Sequence, residues 1–71
     1  MTEKSFEDHL KQLFNGSLHL KEMSVIEVLK GKTNNNIHAL RFVRDEDLPH
    51  EWLSVVERRM VLALIGVPGS S

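Results

Sequence analysis

The sequence predicts a small α+β domain of order α-β-β-α. Three observations carry that expectation. An apolar stripe of helical period, Phe6, Leu10, Leu13 and Phe14, opens the chain. A run rich in β-branched residues, Met23 to Leu29, and a second of strand-like content, Ile37 to Val43, flank a connector with strong turn chemistry. A second and longer helical pattern then runs from Asp47 to Ile65.

The first element spans Ser5 to Phe14. Ser5 is placed to cap a helix, and Asp8 stands three residues on, where a capping-box acid belongs. Glu7 and Asp8 meet the positive end of the helix dipole. Lys11 follows Glu7 by four residues, the favourable order for an ion pair along a helix. Asn15-Gly16 ends the pattern, because both residue types tolerate left-handed backbone.

The middle of the chain supports two readings. In the first, Met23–Leu29 and Ile37–Val43 pair as a hairpin through Lys30-Gly31-Lys32-Thr33-Asn34-Asn35-Asn36. β-Branched side chains lose rotamer freedom in a helix and fit a pleated surface, which favours this reading. In the second, a helix runs from Leu18 to Leu29, capped by Ser17 and stopped by Gly31. Glu22, Val25, Ile26 and Leu29 fall at helical spacing, and the chain becomes an all-α three-helix domain.

The last helix is expected to be capped within Asp45-Glu46-Asp47, with Pro49 in its first turn. Leu48, Trp52, Val55, Val56, Met60, Ala63 and Leu64 recur at threes and fours along it. Gly66 and Pro68 stop it. One domain over residues 1–66 and a flexible tail at 67–71 follow from this reading.

The totals set several function classes aside. A chain of 71 residues, 41% hydrophobic and 27% charged, has the composition of a globular protein. It contains no cysteine, so disulfides and thiolate-held metals are excluded and a reducing, cytoplasmic setting is expected. No apolar run follows the N-terminus, so no signal peptide is expected. Met60 to Ile65 is the longest apolar run, far short of the ~20 residues of a membrane span.

Charge is distributed unevenly. Net charge is −1 and the pI is about 6.4, whereas nucleic-acid-binding domains often exceed a pI of about 9. Yet residues 23–44 carry Lys30, Lys32, Arg41 and Arg44 against Glu27 alone, while residues 45–71 carry Arg58 and Arg59 against five acids. Such asymmetry orients a partner or pairs two copies of one chain.

The chemistry-bearing residues make no catalytic pattern. His9, His19, His38 and His50 lack the i, i+3 or i, i+4 spacing that sets two imidazoles on one helix face, so no metal is expected. Asp45, Glu46, Asp47 and Glu51 are accounted for by a helix N-terminus. Ser54 has no G-x-S-x-G elbow around it, and Gly16 and Gly31 belong to no phosphate loop. Neither an enzyme nor a cofactor is expected.

Binding remains. The last two turns of the final helix are apolar on every side, and a chain this short is expected to hide them against a second molecule. Trp52, Arg59, Met60, Leu62 and Ile65 are therefore the expected protein interface, and the expected function is a non-enzymatic regulatory or adaptor protein, as a homodimer. Since adjacent helical residues point ~100° apart, only one of Arg58 and Arg59 need face that partner. The alternative is a DNA-binding regulator using Lys30, Lys32, Arg41 and Arg44, with Asn34–Asn36 beside them and Phe42 and Trp52 in the core.

Overall fold

Helix α1 (Phe6–Phe14) begins and ends where its sequence places it. Ser5 takes extended backbone, and its Oγ accepts a hydrogen bond from the Asp8 N–H at 3.1 Å. Glu7 and Lys11 meet at 3.4 Å along the helix. Asn15 closes it in left-handed backbone (φ 47°), and Gly16 follows at φ 80°. Phe6, Leu10 and Phe14 face inward as one stripe.

These observations come from a computed structural model that describes residues 5–66, about 69% of them helical and none in a strand. The expected α-β-β-α order is thereby overturned in favour of an all-helical domain. After a single 3-10 turn at His19–Lys21, helix α2 runs from Glu22 to Thr33 and absorbs the whole first β-branched run. A six-residue 3-10 helix, Ile37–Phe42, takes the place of the second strand.

The reason lies in which side chains must be covered together. Val25 and Ile26 are both fully buried, and Leu29 and Thr33 are buried with them. On a strand, adjacent residues face opposite ways, so burying Val25 and Ile26 would require cover on both faces of a sheet. At ~100° per residue on a helix, positions 25, 26, 29 and 33 fall within an arc of about 100°. The same conflict recurs at Leu40 and Val43, both buried and three apart. A strand would separate them, whereas the three-residue turn of a 3-10 helix stacks them.

The helical alternative also needs different boundaries. Gly31 lies inside α2 and does not stop it. The stop is Asn34-Asn35, both left-handed at φ 56° and 62°, with the Asn34 and Asn35 N–H groups both donating to the Lys30 carbonyl. This is the close expected of a left-handed helix cap. Asn36 then caps the 3-10 helix by accepting from the His38 N–H at 3.0 Å.

The final helix, α3, is shorter than its pattern predicts. It spans Val55–Leu64 and is capped by Ser54, whose Oγ accepts from Glu57 N–H while Glu57 Oε1 accepts from Ser54 N–H, a complete capping box. Asp45–Asp47 is only a 3-10 turn, and Leu48 is extended at ψ 149° because the residue before a proline is forced out of helical backbone. Leu48 and Leu53 still reach the core, but from an irregular loop.

α1 packs on α2 and on α3, and the core between them joins Leu10, Phe14, Val25, Ile26, Leu29 and Val61, all 0% exposed. The expected tail at 67–71 lies outside the described residues. No helix among the described residues is long and apolar enough to cross a membrane.

Candidate functional site

The residues expected to form an apolar interface do not gather on an open face. Ile65 and Val61 are buried in the core of their own chain, and Trp52, Met60, Leu62 and Leu64 pack against it partly covered. Only Arg59 of the expected set is exposed. The apolar end of the last helix is thus largely sheltered by α1 and the loop before α3.

Arg58, by contrast, is drawn inward to 9% exposure. Its Nε donates to Asp45 Oδ1 at 2.8 Å and its Nη1 donates to the Leu53 carbonyl at 2.7 Å. The planar guanidinium thereby ties both ends of the irregular 45–53 loop to α3. His50 Nε2 lies 3.0 Å from the Asp45 carbonyl oxygen and 3.5 Å from Asp45 Oδ2. The acidic block at 45–47 is therefore an anchoring point of the fold and not a helix cap.

The exposed apolar side chains lie elsewhere. Leu20 is 98% exposed, Phe42 75% and Val56 65%, with Val55, Met23 and Ile37 less so. Phe42 corrects an expectation: its ring is outside the core. The signal was present in the three-residue period of Leu40 and Val43, which leaves position 42 off the buried row.

Phe42 stands at a cleft of about 170 Å³ lined by Lys32, Thr33, Ala39, Phe42, Val43 and Asp47. The end of α2 supplies one wall and the 3-10 helix with the turn after it supplies the other. The Arg41 guanidinium lies 5.8 Å from the centre of the Phe42 ring, within cation–π range. Thr33 Oγ1 is already committed, donating to the Leu29 carbonyl at 2.7 Å. Asp47 Oδ2 accepts from the Arg44 N–H at 3.0 Å, which holds Arg44 at the cleft edge.

Of the four middle cations, Lys32, Arg41 and Arg44 belong to this neighbourhood. Lys30 stands two positions before Lys32 on α2, and residues so spaced do not share a helix face. All four side chains are outside the ion pairs formed among the described residues.

A second feature joins the His19–Lys21 turn to α3. Lys21 Nζ lies 2.9 Å from both carboxylate oxygens of Glu57, with Leu20 and Val56 the exposed neighbours in sequence. The Ser54 backbone N–H, followed by the Lys21 ammonium, holds the Glu57 carboxyl below its ordinary value. Among the described residues no three histidine, aspartate or glutamate side chains converge as a metal site would require. No protein-family model matches the sequence, and no curated protein or solved structure resembles the chain.

Proposed function

We propose that this chain is a non-catalytic protein-binding module whose docking point is the cleft beside Phe42. The observation that carries the reading is the 75% exposure of Phe42, one of only four aromatic side chains (three Phe, one Trp) in the sequence. Covering such a ring would contribute roughly 1.5–3 kcal/mol, and buried aromatic anchors are where interface energy concentrates. The cleft, at about 170 Å³, falls below the ~300–1,000 Å³ of small-molecule sites and suits one inserted side chain. Capture from a cell extract on immobilised wild type and Phe42→Ser tests it. Loss of the retained proteins from a variant with unchanged circular dichroism is expected, and an unchanged set refutes the docking point.

Self-association has its own support, at a different place from the C-terminal helix end. Leu20, Val55 and Val56 are exposed around the Lys21–Glu57 bridge, an apolar surface that a second copy would cover. Light scattering decides it: a mass twice the 8.1 kDa of the chain, returning to 8.1 kDa in Leu20→Glu with Val56→Lys, is expected. Nucleic-acid binding has less behind it, since Phe42 is a single exposed ring and offers no run of aromatic faces for successive bases.

A further inference from the structure

We infer that the cleft takes a linear peptide segment in which one apolar side chain is flanked by acidic residues, an identification that rests on the protein-binding reading above. Three observations converge on that chemistry. The first is the floor. Val43 is 5% exposed, and Ala39 and Phe42 complete an apolar lining beside Thr33, whose hydroxyl is satisfied by the Leu29 carbonyl. Such a floor rewards an apolar anchor, with the charged Lys32 and Asp47 at its sides.

The second is the rim. Lys32, Arg41 and Arg44 are exposed there and take part in no ion pair among the described residues. Of the nearby carboxylates, Asp45 is held by Arg58 at 2.8 Å, while Asp47 lines the cleft and Glu46 is exposed, so the three cations still outnumber the two acids left to them. A partner bringing carboxylates pairs cations that form no ion pair among the described residues.

The third is Arg41 itself. Its guanidinium lies 5.8 Å from the Phe42 ring centre, so the cation best shaped for two-pronged carboxylate binding already stands beside the anchor position. The same stacking disfavours a nucleic-acid strand. Single-stranded binding uses successive open aromatic faces, and here one exposed ring stands alone with a guanidinium over it.

The test is fluorescence-anisotropy titration of the full chain with a labelled peptide of aspartates and glutamates centred on one leucine. Comparison peptides replace the leucine by serine, or the acids by lysines or by serines, and a labelled single-stranded oligonucleotide is the fourth probe. Saturable binding of the leucine-centred acidic peptide alone is expected, weakening as salt is added. Phe42→Ala should weaken it at least tenfold, and Arg41→Ala with Arg44→Ala a further tenfold or more, with circular dichroism unchanged in each. Equal binding of the serine-flanked leucine peptide overturns the acidic assignment while leaving the protein-binding reading standing. Binding of the serine-centred peptide equal to the leucine one overturns the anchor, preference for the oligonucleotide overturns the peptide, and no saturable binding by any probe overturns the inference. Failure of the broader reading is recognised separately, by extract capture that Phe42→Ser leaves intact.

Discussion

At the scale of single residues, the neighbours Arg58 and Arg59 show how position on a helix decides what a charge does. Both are arginines on α3, yet one is a buried clamp on the 45–53 loop and the other is solvated. Arg58→Ala is expected to lower unfolding free energy by about 1.5–3 kcal/mol, since it removes hydrogen bonds to a carboxylate and a backbone carbonyl. Arg58→Lys should recover only part, because an ammonium lacks the fork that reaches both. Arg59→Ala should stay within about 0.5 kcal/mol. Urea denaturation of the three variants checks the ordering. Glu57 makes a pH prediction. Its carboxyl is held below the ordinary value by Ser54 N–H and Lys21, so the folded state binds this proton less readily than the unfolded chain. The stabilisation is present above the ordinary glutamate pKa of about 4.3 and is lost as pH falls through the lower folded value. Glu57→Gln should therefore flatten the acid limb of a stability–pH curve below about pH 4.3 and leave a constant offset above it.

At the scale of elements, α1 was legible because cap, ion pair, apolar stripe and stop all agree between Ser5 and Gly16. The segment after it was not, because β-branched residues and an asparagine-rich connector also describe a hairpin. Gly31 separates the two structures experimentally. In α2 it has helical neighbours on both sides, its backbone is not left-handed, and a Cβ built there meets nothing within 4 Å. Gly31→Ala is expected to raise stability by about 0.5–1 kcal/mol, seen as a higher thermal midpoint; a turn glycine would give a loss. The start of α3 was misplaced because Asp45–Asp47 and Pro49 look like a helix start, while Ser54 and Glu57 make the actual capping box. Ser54→Ala should cost about 1 kcal/mol, measured by the same melt.

At the scale of the whole molecule, one continuous core ties three α-helices and a 3-10 helix together, with Phe14 its largest fully buried side chain. Phe14→Ala is expected to cost about 3–5 kcal/mol, a large share of the ~5–15 kcal/mol that holds an ordinary domain folded. Far-ultraviolet circular dichroism should show most of the helical signal lost on mild warming. The same core explains why the expected interface at Leu62 and Ile65 is not an open face. α1 and the 45–53 loop converge on α3 and cover what the helix could not hide alone. The unsatisfied apolar surface moves to Phe42, Leu20 and Val56, on connectors and helix starts that no neighbouring element overlies among the described residues.

Local chemistry was enough for the sequence to determine α1 with both its caps, the absence of any thiol chemistry, and the gathering of cations in the middle of the chain. Those features depend on residues within a turn or two of one another. Tertiary structure alone decided that Val25 and Ile26 lie on a helix, that Arg58 turns inward while Phe42 turns out, and that α3 begins at Val55. Each of these depends on which surfaces are available to cover a side chain, and a strand or a helix is chosen by whether both its neighbours can be buried at once.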